Sequence, residues 1–280
     1  MKCTHCGYVT ASYIRFCPGC NTDLGFPNVR LAEIVEEKAA LAKRLTDAEV
    51  STGVRTCRDI LDAFGREVLT SQVVIARSLA LVHNLLNSEN ELYVGYYKQV
   101  QSGARIPEDN KWDKGRTAAD STVSPLFFDE LVYGALSLNR RGVSAFGGYS
   151  ILLRENMIRL RSTVFEENPF IFCQRHKVNA GQPAPLGYRA IWSERDQLAK
   201  AKLHSQIYPT TTSGDFPKIL LRDAKDVEDA EFIEVHIYGP IHQSAIERVV
   251  GPRPHGGADL AIWKSVEGKL KKLGASMEII

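Results

Sequence analysis

Four cysteines crowd the first twenty residues of this chain as two Cys-x-x-Cys pairs, Cys3/Cys6 and Cys17/Cys20, in a segment too short to build an apolar core of its own. Two such pairs supply four soft thiolates at the spacing tetrahedral zinc takes, so a metal stands where a core would be. The stretch between them, Tyr8-Val-Thr-Ala-Ser-Tyr-Ile-Arg-Phe16, suits a short hairpin. The expectation is a zinc ribbon over residues 1–26, with Cys3, Cys6, Cys17 and Cys20 as ligands and His5 as an unneeded alternative. Cys57 and Cys173 are isolated and read as small buried hydrophobes. The amino terminus has no apolar leader, and the most apolar later run, residues 71–86, is broken by Arg77 and His83. The expected setting is therefore cytoplasmic and away from membranes, where paired thiols hold metal rather than form disulfides.

The chain has 280 residues, 35 of them basic and 33 acidic, so its formal charge of +2 gives no global field to draw it onto nucleic acid. Any such contact must come from a local patch. Residues 29–50 carry Leu31, Ile34, Val35, Leu41 and Leu45 at helical spacing, and 54–87 read as one or two buried helices. Together they make a helical connector over 27–90. Residues 101–122, with Gly103, Pro107 and few apolar side chains, read as an exposed loop. Beyond it the texture turns to strands at 131–138, 149–153, 162–165, 170–172, 219–221 and 232–238. Helices are expected near 193–206, 242–250 and 259–273. The fold class is α+β, with residues 91–280 as the main domain. Lys264, Lys269, Lys271 and Lys272 read as a solvated helix face, and Glu166-Glu167 as a solvated turn.

One segment carries the functional signal. Glu231-Phe-Ile-Glu-Val-His-Ile-Tyr-Gly-Pro240 is an alternating strand that puts a carboxylate, Glu234, at its head and stops at Gly239-Pro240. His236 shares its face. Glu231, three positions away, points to the other side. Upstream stand Tyr133-Gly-Ala-Leu136, Phe146-Gly-Gly148 leading into Tyr149, and Arg161-Ser-Thr163.

In that order and spacing these four elements resemble the ADP-ribosyltransferase superfamily, and within it a bacterial branch marked by a Tyr-Gly-Ala-Leu strand, a Phe-Gly-x-x-x turn into a strand, an Arg-x-Thr strand and a Glu-x-Gln-x-x-Gly strand. The resemblance covers about half the chain, roughly residues 127–251. It implies a split β-sheet with flanking helices and cleavage of NAD+, used as substrate. Glu234 would be the catalytic carboxylate, stabilising positive charge on the ribose. Arg161 would hold the diphosphate, Ser162 and Thr163 would buttress the glutamate or the ribose, and Tyr133 or Tyr149 would stack on the nicotinamide, with Gly134 letting backbone come close. Two departures matter: Phe165-Glu-Glu-Asn-Pro169 replaces the family's Gly-Asp-Ser turn, and Phe232 stands two before Glu234 where arginine-modifying members carry Glu. The resemblance thus implies a mono-ADP-ribosyltransferase acting as an intracellular toxin or phage-defence effector, held in check by an antitoxin or inhibitor protein. RNA is the favoured acceptor ahead of DNA or protein, with the ribbon presenting it. The alternatives are an NAD glycohydrolase and a non-catalytic zinc-ribbon adaptor.

Overall fold

The computed structural model describes residues 1–179 and 181–280. After the ribbon come α1 (Pro27–Ala32), α2 (Val35–Val54), α3 (Arg58–Val68), β1 (Gln72–Arg77), α4 (Leu79–Leu85), β2 (Leu92–Tyr93), α5 (Tyr96–Gln101) and α6 (Lys111–Val123). Next are β3 (Leu131–Ser137), β4 (Tyr149–Leu153), α7 (Glu155–Ile158), β5 (Ser162–Phe165), α8 (Pro169–Arg175), β6 (Arg189–Ile191), α9 (Arg195–Leu203) and α10 (Phe216–Leu220). The chain ends with β7 (Glu234–Tyr238), β8 (Ile241–His242), β9 (Ile246–Gly251), α11 (Gly257–Lys272) and β10 (Ser276–Ile279).

Eight strands form one mixed sheet in the order β10-β9-β4-β1-β3-β7-β5-β6, antiparallel except for the parallel β9/β10 pair, while β2 and β8 make a separate ribbon. The α+β class is as read from the sequence. The expected split sheet is instead continuous, because β1 pairs with β4 on one side and β3 on the other. That strand lies inside the stretch expected to be helical, so 27–90 is no separate connector: it supplies a central strand and much of the core.

Strand alternation divides the sheet into two unlike faces. On one, Val73, Ile75, Leu136, Ile151, Val235 and Ile237 pack with Phe64 of α3, Val82 of α4, Leu198 of α9 and Val266 of α11 in a single apolar cluster. The other carries a smaller cluster, including Val74, Ala135 and Leu152, and is covered toward β5 by α6 and α8.

Several local expectations are corrected. Residues 170–172 belong to helix α8, which starts where Asn168 caps Phe170 N–H and Pro169 takes the first turn, a position where proline's missing N–H costs nothing. Residues 219–221 lie mostly in helix α10. The expected helix at 242–250 is mainly strand β9: Ile246, Val249 and Val250 imitate helical spacing, but both edges of the strand are paired, with β4 and β10. The expected loop at 101–122 contains the thirteen-residue helix α6. Helices α9 and α11 stand near their expected places. Among the described residues no helix is long and apolar enough to cross a membrane.

Candidate functional site

The sulfurs of Cys3, Cys6, Cys17 and Cys20 all lie within 4.8 Å of one another, with Cys3–Cys20 at 3.7 Å and Cys6–Cys17 at 3.6 Å. Four sulfurs at about 2.3 Å from one zinc ion are about 3.8 Å apart, so the quartet fits tetrahedral zinc. His5 is not part of it. The ribbon is tied to the sheet through α1. Arg30 donates to the Ser12, Ile14, Leu24 and Gly25 carbonyls, and the buried Asn28 amide donates to the backbone oxygens of Arg161 and His236 at 3.0 and 3.1 Å.

The second constellation lies on the β3-β7-β5 part of the sheet. Register sets Tyr133 opposite His236 and His236 opposite Thr163, one row across three strands, and Glu234 stands two residues along β7 between Ala135 and Phe165. All four side chains share a face. Tyr133 meets the His236 imidazole edge-on at 5.0 Å, Phe165 stacks beside that ring at 5.5 Å, and His236 Nε2 is 3.3 Å from Glu234 Oε2. Glu234 is 5% exposed and His236 2%.

Burial sets their protonation. Loss of solvent pushes the Glu234 carboxyl up to about 8, against the opposing pull of the Arg116 cation and an Asn168 hydrogen bond. It pushes the His236 imidazole down to about 3, helped by Arg189. At neutral pH the pair is thus a carboxylic acid beside an uncharged imidazole.

Helix α6 supplies what the sequence reading missed. Arg116 and Asp120, one turn apart, extend the cluster: Asp120 is 5% exposed, accepts a 2.8 Å hydrogen bond from the Tyr97 hydroxyl, and is held up at about 6 chiefly by burial. Arg116 lies over the Tyr96 ring at 4.6 Å, its Nε buried without a partner. The Tyr133 hydroxyl is likewise buried without a partner. A half-buried cation, two buried acids and an unmatched phenol make a costly way to fill a core, and such clusters mark functional sites. The available signals were Asn110, whose side chain caps Asp113 N–H, and the Arg116/Asp120 spacing of four.

Other residues named from the sequence lie elsewhere. The Arg161 guanidinium is committed to the Tyr238, Gly239 and Met157 carbonyls, at the end of β7 away from Glu234. Ser162 lies opposite Ile237, on the apolar face, and donates to Ile158 O at 2.8 Å. Tyr149 is on β4, three strands from β7 in the sheet order, with its hydroxyl on Pro252 O. Gly134 serves packing: a Cβ there would sit 2.9 Å from Val73 Cγ1 and 3.0 Å from Val74 O. Glu166 and Glu167 are not a solvated turn but 6% and 5% exposed, paired with Arg44 and Arg175, and burial raises Glu167 to about 7. Glu231 lies before β7, bridged to Arg222, and pairs with Lys202.

No protein-family model matches the chain, and no curated protein matches it.

Proposed function

We propose that this chain is an NAD+-dependent mono-ADP-ribosyltransferase whose site is built on a continuous sheet, with Glu234 as its catalytic carboxylate. One observation carries the reading. Three motifs that resemble the superfamily, separated by as much as a hundred residues, occupy three adjacent strands and present Tyr133, Thr163, His236 and Glu234 on one face. Neighbouring strands and a shared face are what a single site made from those motifs requires.

In the reaction, the bond from ribose C1′ to the nicotinamide nitrogen breaks, and nicotinamide leaves with the electron pair as a neutral molecule. An ionised Glu234 stabilises the positive charge that develops on the ribose, and an acceptor oxygen or nitrogen then bonds C1′ and gives up its proton. Tyr133 lies close enough to the same row to line the nicotinamide side, and Thr163 to line the ribose side. With Arg161 occupied by backbone carbonyls, the cation nearest Glu234 is Arg116.

RNA remains the favoured acceptor. The ribbon leaves Tyr8, Tyr13, Phe16 and Lys2 exposed, while Arg15 is paired with Asp23, and exposed rings with a nearby cation suit stacked bases.

The test is incubation of the purified protein and its Glu234→Gln variant with adenine-labelled NAD+ and, separately, RNA, DNA and lysate protein. Nicotinamide release and label on one macromolecule, both lost in the variant, are the expected result. Release without transfer would make the protein a glycohydrolase, and no release from zinc-loaded, folded protein would sink the reading. Cys17→Ser should lose the zinc, measured by metal analysis, while nicotinamide release persists.

A further inference from the structure

A catalytic carboxylate must be reachable, and Glu234 is sealed: at 5% exposure it admits nothing the size of a ribosyl group. Its cover is α6, through Arg116 and Asp120, with Asn168 at the start of α8. We propose that α6 is a displaceable gate over Glu234, and that Arg116 keeps the site closed by occupying the place of the cation the carboxylate is built to meet. The inference rests on the catalytic assignment of Glu234 and adds its regulation.

The composition of the helix argues that its seat is a weak one. Trp112, whose ring centroid lies 5.2 Å from that of Phe170, and Val123, beside Phe165 and Phe172, are its large apolar anchors. The residues turned toward the site are charged. Asp120 is 5% exposed and burial raises its carboxyl to about 6, a cost that hydration in an opened state would relieve. A cavity of 420 Å3 opens beside the close Gly115–Phe170 contact of α6 and α8, lined also by Ala119 and Cys173, so the seam is only partly filled. Outer ties are exposed pairs such as Lys111–Glu228 and Lys114–Asp109, each contributing little.

The chain around α6 is suited to movement. Residues 102–110 before it carry no helix or strand and include Gly103 at φ +75°, and Leu126 just after it sits at φ +68°. Displacing α6 would do two things together: it would open the row to substrate, and it would let water reach Glu234, lowering its pKa so that the carboxylate ionises. Access and charge would arrive by one motion, so that wild-type cleavage of NAD+ is slow but measurable, set by the small open fraction.

Two readouts on the full-length, zinc-loaded chain separate the gate from the chemistry. Trp112→Ala should loosen α6, seen as faster amide exchange over residues 111–123, and raise nicotinamide release at least tenfold. Arg116→Ala, which removes the plug without an apolar cavity, should act in the same direction. In a Glu234→Cys background, maleimide labelling at position 234, followed by peptide mass, should be slow with native α6 and at least tenfold faster with Trp112→Ala. Faster labelling with no NAD+ cleavage in any protein would uphold the gate and overturn the transferase reading. Rapid labelling under native α6, labelling no faster once α6 amides exchange freely, or wild-type cleavage as fast as that of the loosened variants would overturn the gate.

Discussion

Strand β7 has two sides that obey different rules. Val235 and Ile237 are fully buried among aliphatic and aromatic side chains of four helices, whereas Glu234 and His236, one residue out of phase, are equally buried against Arg116, Asp120 and Tyr133. The first side gains free energy from every contact, since a buried Val, Leu or Ile contributes about 1.5–3 kcal/mol. The second loses it, because ionisable groups are held out of water with too few partners. A fold can carry the second only when the first stabilises it amply, and that division of labour is what an active-site face looks like in energetic terms.

The contrast breaks most visibly on the apolar side. Leu136→Ala, at a position 0% exposed on β3, should cost about 2–5 kcal/mol of unfolding free energy, read from urea midpoints, while the activity of each folded molecule is unchanged. Glu234→Gln should do the reverse. Nicotinamide release should fall about 100-fold or more, roughly the 2.7 kcal/mol lost with one transition-state group, and the melting temperature should hold or rise because a buried ionisable group is gone. If Glu234→Gln unfolded the protein instead, the polar face would be a structural network.

A smaller effect appears in the pH dependence of stability. Glu234 binds its proton more tightly folded than unfolded, so between about 4.5 and about 8 the native state holds the extra proton and stability falls as pH rises. Asp120, raised to about 6, and Glu167, raised to about 7, add slope of the same sign. His236, lowered to about 3, opposes them only in acid, where stability rises with pH up to the ordinary histidine range near 6.5. Urea midpoints for wild type and Glu234→Gln should therefore diverge from about pH 5 to about pH 8, the variant gaining. Parallel curves would mean that Glu234 is ordinarily hydrated.

The two sides also differ in how far the sequence discloses them. Local chemistry discloses the ribbon, whose ligands lie within eighteen residues, and the alternation of β3, β4, β5 and β7 marks the strands that carry Tyr133, Thr163 and Glu234. The partners of Glu234 on α6 were hidden. A helix that turns Arg116, Asp120 and Ala119 inward lacks the apolar stripe by which buried helices are recognised. β1 was hidden for the opposite reason: Val73-Val-Ile-Ala76, apolar on both faces, has no period to distinguish strand from helix. Arg161 shows a third limit, since residue type suggests a phosphate clamp but not that its donors are already engaged.

That residue gives the smallest and sharpest test of the comparison. Arg161 ties the Tyr238–Gly239 corner to the end of the sheet through three carbonyls, at the far end of β7 from Glu234. Arg161→Ala should therefore cost about 1 kcal/mol of stability, the scale of a few partly exposed hydrogen bonds, and leave the KM for NAD+ where it was. A diphosphate ligand would behave differently, with KM rising at least tenfold and stability barely moving. The ratio of the two effects decides whether the polar face ends at the Tyr133–His236–Thr163 row or extends along β7 to its last residue.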